Sequence, residues 1–402
     1  MGTRESGVMF TNVNRRFDRL IIAAMLAGAG SASAQWSVTI LNPASATGAS
    51  ALAVEGGQQV GFLGFGGLAC LWTGTASSVV DLHPDGASSS RALAVDGGKQ
   101  AGWVVVDGVH SAAMWSGTKA SWVNLHPASG QVSEANGIHG DQQVGYVRVL
   151  GDNHAAIWHG TAASFSDVHP ADSITSALRD TDGTQQVGWA DAGTGSPRAY
   201  LWTGTAASAI MLSPGGKFGP ASECYAVADG EQVGWFDVGG LTRSASLWTG
   251  SAASWVNLHP AVAFRSYAYD CNDGEQVGAA QIDGAWHAGR WKGSAASWED
   301  LHGFLPSTIA ESYANGIWHE DGVTYVVGSA VEKITGKTFA VMWIEAPACP
   351  ADCEQDGDLD VFDFLCFQSE WAALTPFGDC EEDGDWDVFD FLCFQSKFAA
   401  GC

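Results

Sequence analysis

Three short landmarks recur in the same order seven times along this 402-residue chain, and such a repeat restricts the fold more than any local propensity does. The first is a Gln-Val-Gly step at Gln59-Val60-Gly61, Gln143-Val144-Gly145, Gln186-Val187-Gly188, Gln232-Val233-Gly234 and Gln276-Val277-Gly278, with variants Gln100-Ala101-Gly102 and Val326-Val327-Gly328. The second is a Trp that closes an apolar run, at Trp72, Trp115, Trp158, Trp202, Trp248, Trp291 and Trp343, six of them with Gly two positions later. The third reads Ser121-Trp122-Val123-Asn124-Leu125-His126-Pro127 or Ser254-Trp255-Val256-Asn257-Leu258-His259-Pro260. The period of about 43 residues is that of a four-stranded propeller blade.

Strand signals are legible within one repeat. In the second, Ser90 to Val95, Gln100 to Val106, Ser111 to Trp115 and Ala120 to Leu125 are separated by Asp96-Gly97-Gly98, Asp107-Gly108 and Ser116-Gly117, steps that supply the positive φ of tight hairpins. The seventh repeat stops after Val341-Met342-Trp343-Ile344 and lacks its last strand. Near the other end of the chain an orphan Trp36-Ser37-Val38-Thr39-Ile40-Leu41-Asn42-Pro43 matches the third landmark. Supplying the missing strand from the N-terminus closes a ring and removes two exposed sheet edges. The sequence thus predicts an all-β seven-bladed β-propeller over residues 35–347, its last blade completed by the N-terminal strand.

Charge is distributed unevenly. Of a formal net −26, residues 348–402 carry half, with fourteen Asp and Glu against the single Lys397. So acidic a chain disfavours nucleic acid and anionic membrane surfaces as partners, since both need clustered Lys and Arg. Arg15, Arg16 and Arg19 precede the apolar run Leu20 to Ala27, and Ala32-Ser33-Ala34 supplies a small-x-small cleavage signal, so residues 1–34 read as a signal peptide and the protein as secreted, extracellular or attached at the cell surface. The apolar run is short of the roughly 20 residues that span a bilayer, and no membrane span is expected. Six of nine cysteines (349, 353, 366, 380, 393 and 402) crowd into the acidic tail, as disulfides do in small exported domains.

Within the repeats, His83, His126, His169, His259 and His302 fall at one position per blade, at strand ends where an imidazole satisfies turn backbone groups; the recurrent Trp marks blade-to-blade packing. Residues that break the repeat are better ligand candidates. Along the first strand of each blade these are Arg91, Glu134, Arg179, Glu223, Tyr225, Tyr267, Tyr269 and Asn315, of which Arg91, Arg179, Tyr225 and Tyr269 are singled out as ligand-binding at a channel mouth. No Ser-His-Asp set, HExxH or Walker loop stands out, so no catalytic residue is assigned. Cys224 and Cys271 occupy first strands of adjacent blades, and the sequence leaves open whether they pair.

The repeats resemble the bacterial extracellular HAF repeats, whose Gly-Gln-Val-Val-Gly-like step matches Gln59-Val60-Gly61 and its copies, while the family's His-Ala-Phe-Leu-Trp strand is reduced to forms such as Ala156-Ile157-Trp158. Over roughly residues 41–345 this resemblance implies an extracellular repeat protein without a defined activity.

In the tail, Asp352-Cys353-Glu354-Gln355-Asp356-Gly357-Asp358-Leu359-Asp360-Val361-Phe362-Asp363 places oxygen ligands at loop positions 1, 3, 5, 9 and 12, with Gly at 6 for the sharp turn. The set recurs 27 residues later, from Asp379 through Glu381, Asp383, Asp385 and Asp387 to Asp390. Each loop leads into the same apolar segment, Phe364-Leu365-Cys366-Phe367-Gln368-Ser369 and Phe391-Leu392-Cys393-Phe394-Gln395-Ser396. The duplicated loop-helix, ending in Gly401-Cys402, resembles a dockerin of the bacterial GC type over residues 348–402, a small α-helical, EF-hand-like module with two Ca2+ sites. That resemblance implies side-chain ligands Asp352, Glu354, Asp356, Asp360 and Asp363 for one ion and Asp379, Glu381, Asp383, Asp387 and Asp390 for the other, with the Asp358 and Asp385 carbonyls. It also implies a cohesin-like or other surface protein as partner, met by Val361, Phe362, Val388 and Phe389 where the family more often has a small polar pair. The expected function is a secreted, non-catalytic propeller platform attached through this module, with carbohydrate a candidate ligand. The alternatives are a polysaccharide-acting glycoside hydrolase or lyase carried by the same module, or self-association through the apolar tail.

Overall fold

Paired positive φ angles at Asp107-Gly108, Asp229-Gly230, Asp273-Gly274 and Asp283-Gly284 (49–54° on Asp, 74–89° on Gly) close two-residue hairpins that keep consecutive strands antiparallel. A computed structural model of the chain describes residues 35–239, 242–346, 351–353, 359–381 and 383–400. The signal peptide assigned to residues 1–34 lies outside these residues, as do Glu354, Asp356, Asp358, Cys349 and Cys402. The described residues form seven four-stranded antiparallel sheets, the blades of a β-propeller. No described helix is long and apolar enough to cross a membrane.

In the second blade the strands run Ser89–Asp96, Lys99–Val106, Val109–Trp115 and Val123–Asn124. The fourth is shorter than the sequence suggests because Lys119–Ser121 winds into a 3₁₀ turn, in which the Ser121 hydroxyl accepts from the Ser116 N–H and donates to the Thr118 carbonyl.

Each landmark has a physical cause. The seven Trp side chains are fully buried between blades. Leu71 and Val60 of blade one, for instance, pack with Val104, Ala113 and Trp115 of blade two, so the core is a set of seams between sheets. The Gln of the Gln-Val-Gly step accepts, through its side-chain oxygen, the N–H of the Gly two residues after the Trp, at 2.7 to 2.9 Å in six blades. Blade seven has Val326 in that place and Glu345 in place of the Gly. The Gly of the step faces the carbonyl of the neighbouring inner strand so closely that a Cβ would stand 1.8 to 2.1 Å from that oxygen.

The seventh blade is closed by Gln35–Ile40, which pairs with Thr338–Ala346 in the register Gln35↔Ala346 to Ile40↔Val341. Trp36 is 6% exposed and donates from Nε1 to Glu299 of blade six at 2.9 Å. Its ring lies 4.8 Å from the buried Arg290 guanidinium, which is gripped by Glu275, Glu299 and Glu345. A main-chain ladder and a charged cluster together shut the ring.

The C-terminal residues form a separate compact unit. Asp360 caps helix α1 (Val361–Ala372) by accepting the Phe362 N–H, with Asp363 completing a capping box, and α2 (Val388–Ala400) repeats the arrangement. Phe367 and Phe394, one per helix, are buried and stacked with centroids 4.1 Å apart. Disulfides Cys353–Cys366 and Cys380–Cys393 tie each loop to its helix, with Cα separations of 5.7 and 5.9 Å.

Removing residues 35–43 is expected to leave the last blade with an unpaired edge, seen as aggregation in size-exclusion chromatography with light scattering. Trp36→Ala should cost about 3–5 kcal/mol, measured by chemical denaturation. A truncated protein that stays monomeric with unchanged melting would sink the closure argument.

Candidate functional site

The close approach of the Gly opposes a β-bulge in the first strand of every blade. Register breaks there at Ala51/Ala53, Ala92/Ala94, Ala135/Gly137, Leu178/Asp180, Cys224/Ala226, Ala268/Asp270 and Ala314/Gly316. A bulge leaves one residue unpaired and re-aims it. The skipped residues are Leu52, Leu93, Asn136, Arg179, Tyr225, Tyr269 and Asn315, and all seven line a central cavity of about 620 Å3.

Three of the four ligand candidates therefore share one ring. Arg179 pairs with Glu223 of the next blade at 2.6 Å, and its guanidinium lies 6.0 Å from the Tyr225 ring. Tyr225 and Tyr269 approach to 5.7 Å between centroids. Asn136 and Asn315 donate to the Leu178 and Ala51 carbonyls of the following blades. Arg91 is not among the residues lining the cavity. It stands opposite Trp103, short of the bulge, with its guanidinium 4.1 Å from the Phe62 ring of blade one.

That cross-strand position carries one aromatic residue per blade. In blades one to five it follows the Gly, as Phe62, Trp103, Tyr146, Trp189 and Trp235, opposite Ser50, Arg91, Glu134, Ala177 and Glu223. In blades six and seven the pair is reversed, with Ala279 and Ser329 after the Gly and Tyr267 and Tyr313 on the inner strand.

Sequence reasoning missed Asp180 and Asp270, which directly follow bulged residues and also line the cavity. Five other blades place Ala or Gly there, so a carboxylate at an otherwise small position was the available signal. Asp180 accepts the Val227 N–H at 3.0 Å and Asp270 that of Ile317 at 2.9 Å, each joining one inner strand to the next. Lost hydration, opposed by these bonds, pushes Asp180 up to about 6, and Asp270, also facing the charge of Asp180, up to about 8.

The landmark histidines have structural partners. Nδ1 of His83, His126, His169, His259 and His302 meets a Ser hydroxyl at 2.7 to 2.8 Å. In each case that hydroxyl accepts a buried N–H of the preceding blade, as Ser133 does from Ala112. Burial lowers the pKa of His126, His169, His259 and His302. Cys70, Cys224 and Cys271 are buried free thiols. Cys224 precedes the bulge of its strand and Cys271 follows that of the next, so they enter different inter-blade cores.

In the C-terminal unit, Asp363 and Asp390 are buried at the starts of the two helices. Asp363 accepts the Cys353 and Asp360 N–H groups, and Asp390 those of Glu381 and Asp387. Gly384 takes φ +86°, and Asp379 accepts the Asp383 and Gly384 N–H groups, so the second loop turns sharply over its own carboxylates. Among the described residues no three His, Cys, Asp or Glu side chains are gathered closely enough to hold a metal ion. Val361, Phe362, Val388 and Phe389 are 55–64% exposed at the first turns of the helices, with Leu365 and Leu392 beside them.

No protein-family model and no curated protein matches the sequence. Solved structures similar in fold include TolB from Acinetobacter baumannii (14% identity, TM-score 0.44, covering 71% of this chain and 66% of that one). Others are a mutant puromycin hydrolase complexed with PGG (11%, 0.50, covering 72% and 53%) and the Pyrococcus horikoshii acylaminoacyl peptidase (9%, 0.43, covering 72% and 51%). The chain spans about half to two thirds of the length of these proteins, and the likeness concerns the fold.

The carboxyls give the propeller a pH signature. Unfolded Asp titrates near 3.9, so the stability these groups contribute is complete below that value and is lost as pH rises through their folded values. The lowered histidines act in the opposite sense and only below about 6.5, where their stability is lost as pH falls. Melting of the wild-type protein should therefore fall between about pH 6.5 and 8, where Asp270 is ionised in the unfolded chain and still largely protonated in the folded one, and Asp270→Asn should flatten that slope whatever its effect on absolute stability. A pH series by scanning calorimetry checks this, and a wild type without the slope would contradict a neutral Asp270.

Proposed function

We propose that this is a secreted, non-catalytic protein whose propeller is a binding platform and whose C-terminal unit, folded around two Ca2+ ions, attaches it to a surface protein. The observation that carries the attachment is the duplicated exposed pair Val361-Phe362 and Val388-Phe389, each beside an acidic loop and at the start of a helix whose opposite side is buried. Apolar side chains exposed in two equivalent copies suit a protein partner. Two disulfides support passage through an oxidising compartment.

The donor set suits calcium. Each loop offers hard carboxylate oxygens at calcium spacing, and the second has the left-handed Gly384 that lets such a loop wrap an ion. Asp352, Glu354, Asp356, Asp360 and Asp363 would hold one ion with the Asp358 carbonyl, and Asp379, Glu381, Asp383, Asp387 and Asp390 the other with that of Asp385. The ions would neutralise loops whose carboxylates otherwise repel one another. The non-catalytic reading is supported by Asp180 and Asp270, two of the six carboxylates in the cavity wall, whose oxygens are engaged by backbone N–H groups.

Calorimetric titration of the full chain is expected to give two calcium ions per molecule, falling to about one in the double variant Asp352→Ala, Asp363→Ala. At a hundredfold excess over Kd, calcium should stabilise the C-terminal transition by about 2.7 kcal/mol and leave propeller melting unchanged. Absence of binding at millimolar calcium with disulfides formed would overturn the metal assignment and the attachment built on it.

A further inference from the structure

We propose that a band of aromatic rings across blades five to seven binds an uncharged polysaccharide chain. This rests on the platform reading and names its ligand class.

The reversal of the cross-strand pair in blades six and seven moves Tyr267 and Tyr313 onto the inner strands, toward the ring of bulged residues. Tyr267 there lies parallel to Tyr269, at 8° and 5.9 Å, and Tyr269 reaches Tyr225 at 5.7 Å. On the other side Trp286 bridges Tyr267 at 5.6 Å and Tyr313 at 6.0 Å. Five partly exposed rings thus form one continuous band over three blades. Packing explains one aromatic residue per blade at this pair, as in blades one to five. It does not call for Tyr269, which fills the bulge position where blade one has Leu52, nor for Trp286, on a third strand.

Polar groups are spaced along the band. Arg243 donates to the Tyr267 hydroxyl at 3.3 Å, and Glu311 accepts from that of Tyr313 at 3.2 Å. The Tyr269 hydroxyl has no hydrogen-bond partner among the described residues, and its burial keeps it protonated by raising its pKa well beyond the usual phenol range. Such an array of apolar faces with separated donors and acceptors matches a pyranose chain, which presents C–H faces to stack on rings and a rim of hydroxyls. Charge selects the uncharged kind. Arg179 is neutralised by Glu223, so the band offers Arg243 and Glu311 without a net charge of either sign, and the chain's formal −26 repels polyanions.

The test is native affinity electrophoresis of the full-length protein in gels containing neutral polysaccharides (hydroxyethylcellulose, xyloglucan, galactomannan) or the polyanions alginate and polygalacturonate. Retardation is expected in at least one neutral gel, persisting at high salt. Trp286→Ala and Tyr267→Ala should each weaken it about tenfold, equivalent to about 1.4 kcal/mol. Phe62→Ala, outside the band, should migrate like wild type. Should either alanine variant lose its melting transition, Tyr269→Phe, which removes only a hydroxyl, must still weaken binding. Retardation by polyanions alone, by no neutral polymer, or equally in wild type and variants overturns the proposal. Shortening of a bound polysaccharide would instead refute the non-catalytic reading and leave the site standing, whereas absence of binding would overturn this proposal and leave the calcium-dependent attachment to its own titration.

Discussion

The backbone contact at the glycine of each Gln-Val-Gly step sets the geometry on which the propeller depends. With a carbonyl where a Cβ would stand, only glycine lets the second strand close on the first, and the inner strand accommodates the approach by bulging. The bulge frees one residue per blade from the ladder and turns it into the central cavity. Seven positions are thereby released from the packing that fixes the rest of the repeat, and they carry Leu, Asn, Arg and Tyr while the neighbouring Val and Trp hardly change. Chemical variety in the cavity follows from invariance in the sheets.

That division explains what was legible in the sequence. Gln, Gly and Trp recur because each satisfies the same local demand in each blade, so their period gave the number of blades and the orphan Trp36 strand gave the closure. The histidines were readable as structural for the same reason, since each is followed by the Ser it meets. Legibility ended at the bulge, whose position shows only in the pairing register. Without it Arg91 and Arg179 look like equivalent breaks in the repeat, although two residues of register separate a side chain packed on Phe62 from one that faces the cavity. Asp180 and Asp270 were missed because a carboxylate beside a turn-rich strand resembles a solvated one until its N–H partners on the next blade are seen.

The ring also contains one seam unlike the others. Between blades six and seven, Arg290 replaces the apolar residue that precedes the recurrent Trp elsewhere, and it is 3% exposed among three glutamates. Those contacts hold its charge, and against the cost of burial the bonds from His319 and Lys292, with the charge of Arg290, draw the Glu275 carboxyl down to about 2. Removing one partner from such a cluster strands a buried charge, at about 3–5 kcal/mol, so the cluster acts more as a register pin than as a source of net stability. It lies against Trp36, the residue that must find its place when the two distant ends of the propeller meet. A ladder alone tolerates slippage, whereas a ring that stacks on a guanidinium and donates to Glu299 fits in one register.

The C-terminal unit faces a different constraint. Its core is little more than the stacked Phe367 and Phe394 with the rings around them, too few apolar groups to offset the ordering of two acidic loops. Two covalent ties shorten the search by fixing each loop to its own helix, but they do nothing about the repulsion among carboxylates crowded into each turn. Backbone N–H groups absorb part of that charge, at Asp363 and Asp390 in particular. The unit exposes Val361, Phe362, Val388 and Phe389 on the first turns of its helices, whose starts are fixed by the capping carboxylates Asp360 and Asp387. The propeller is held differently, by apolar packing between blades and by the main-chain ladder that closes its ring.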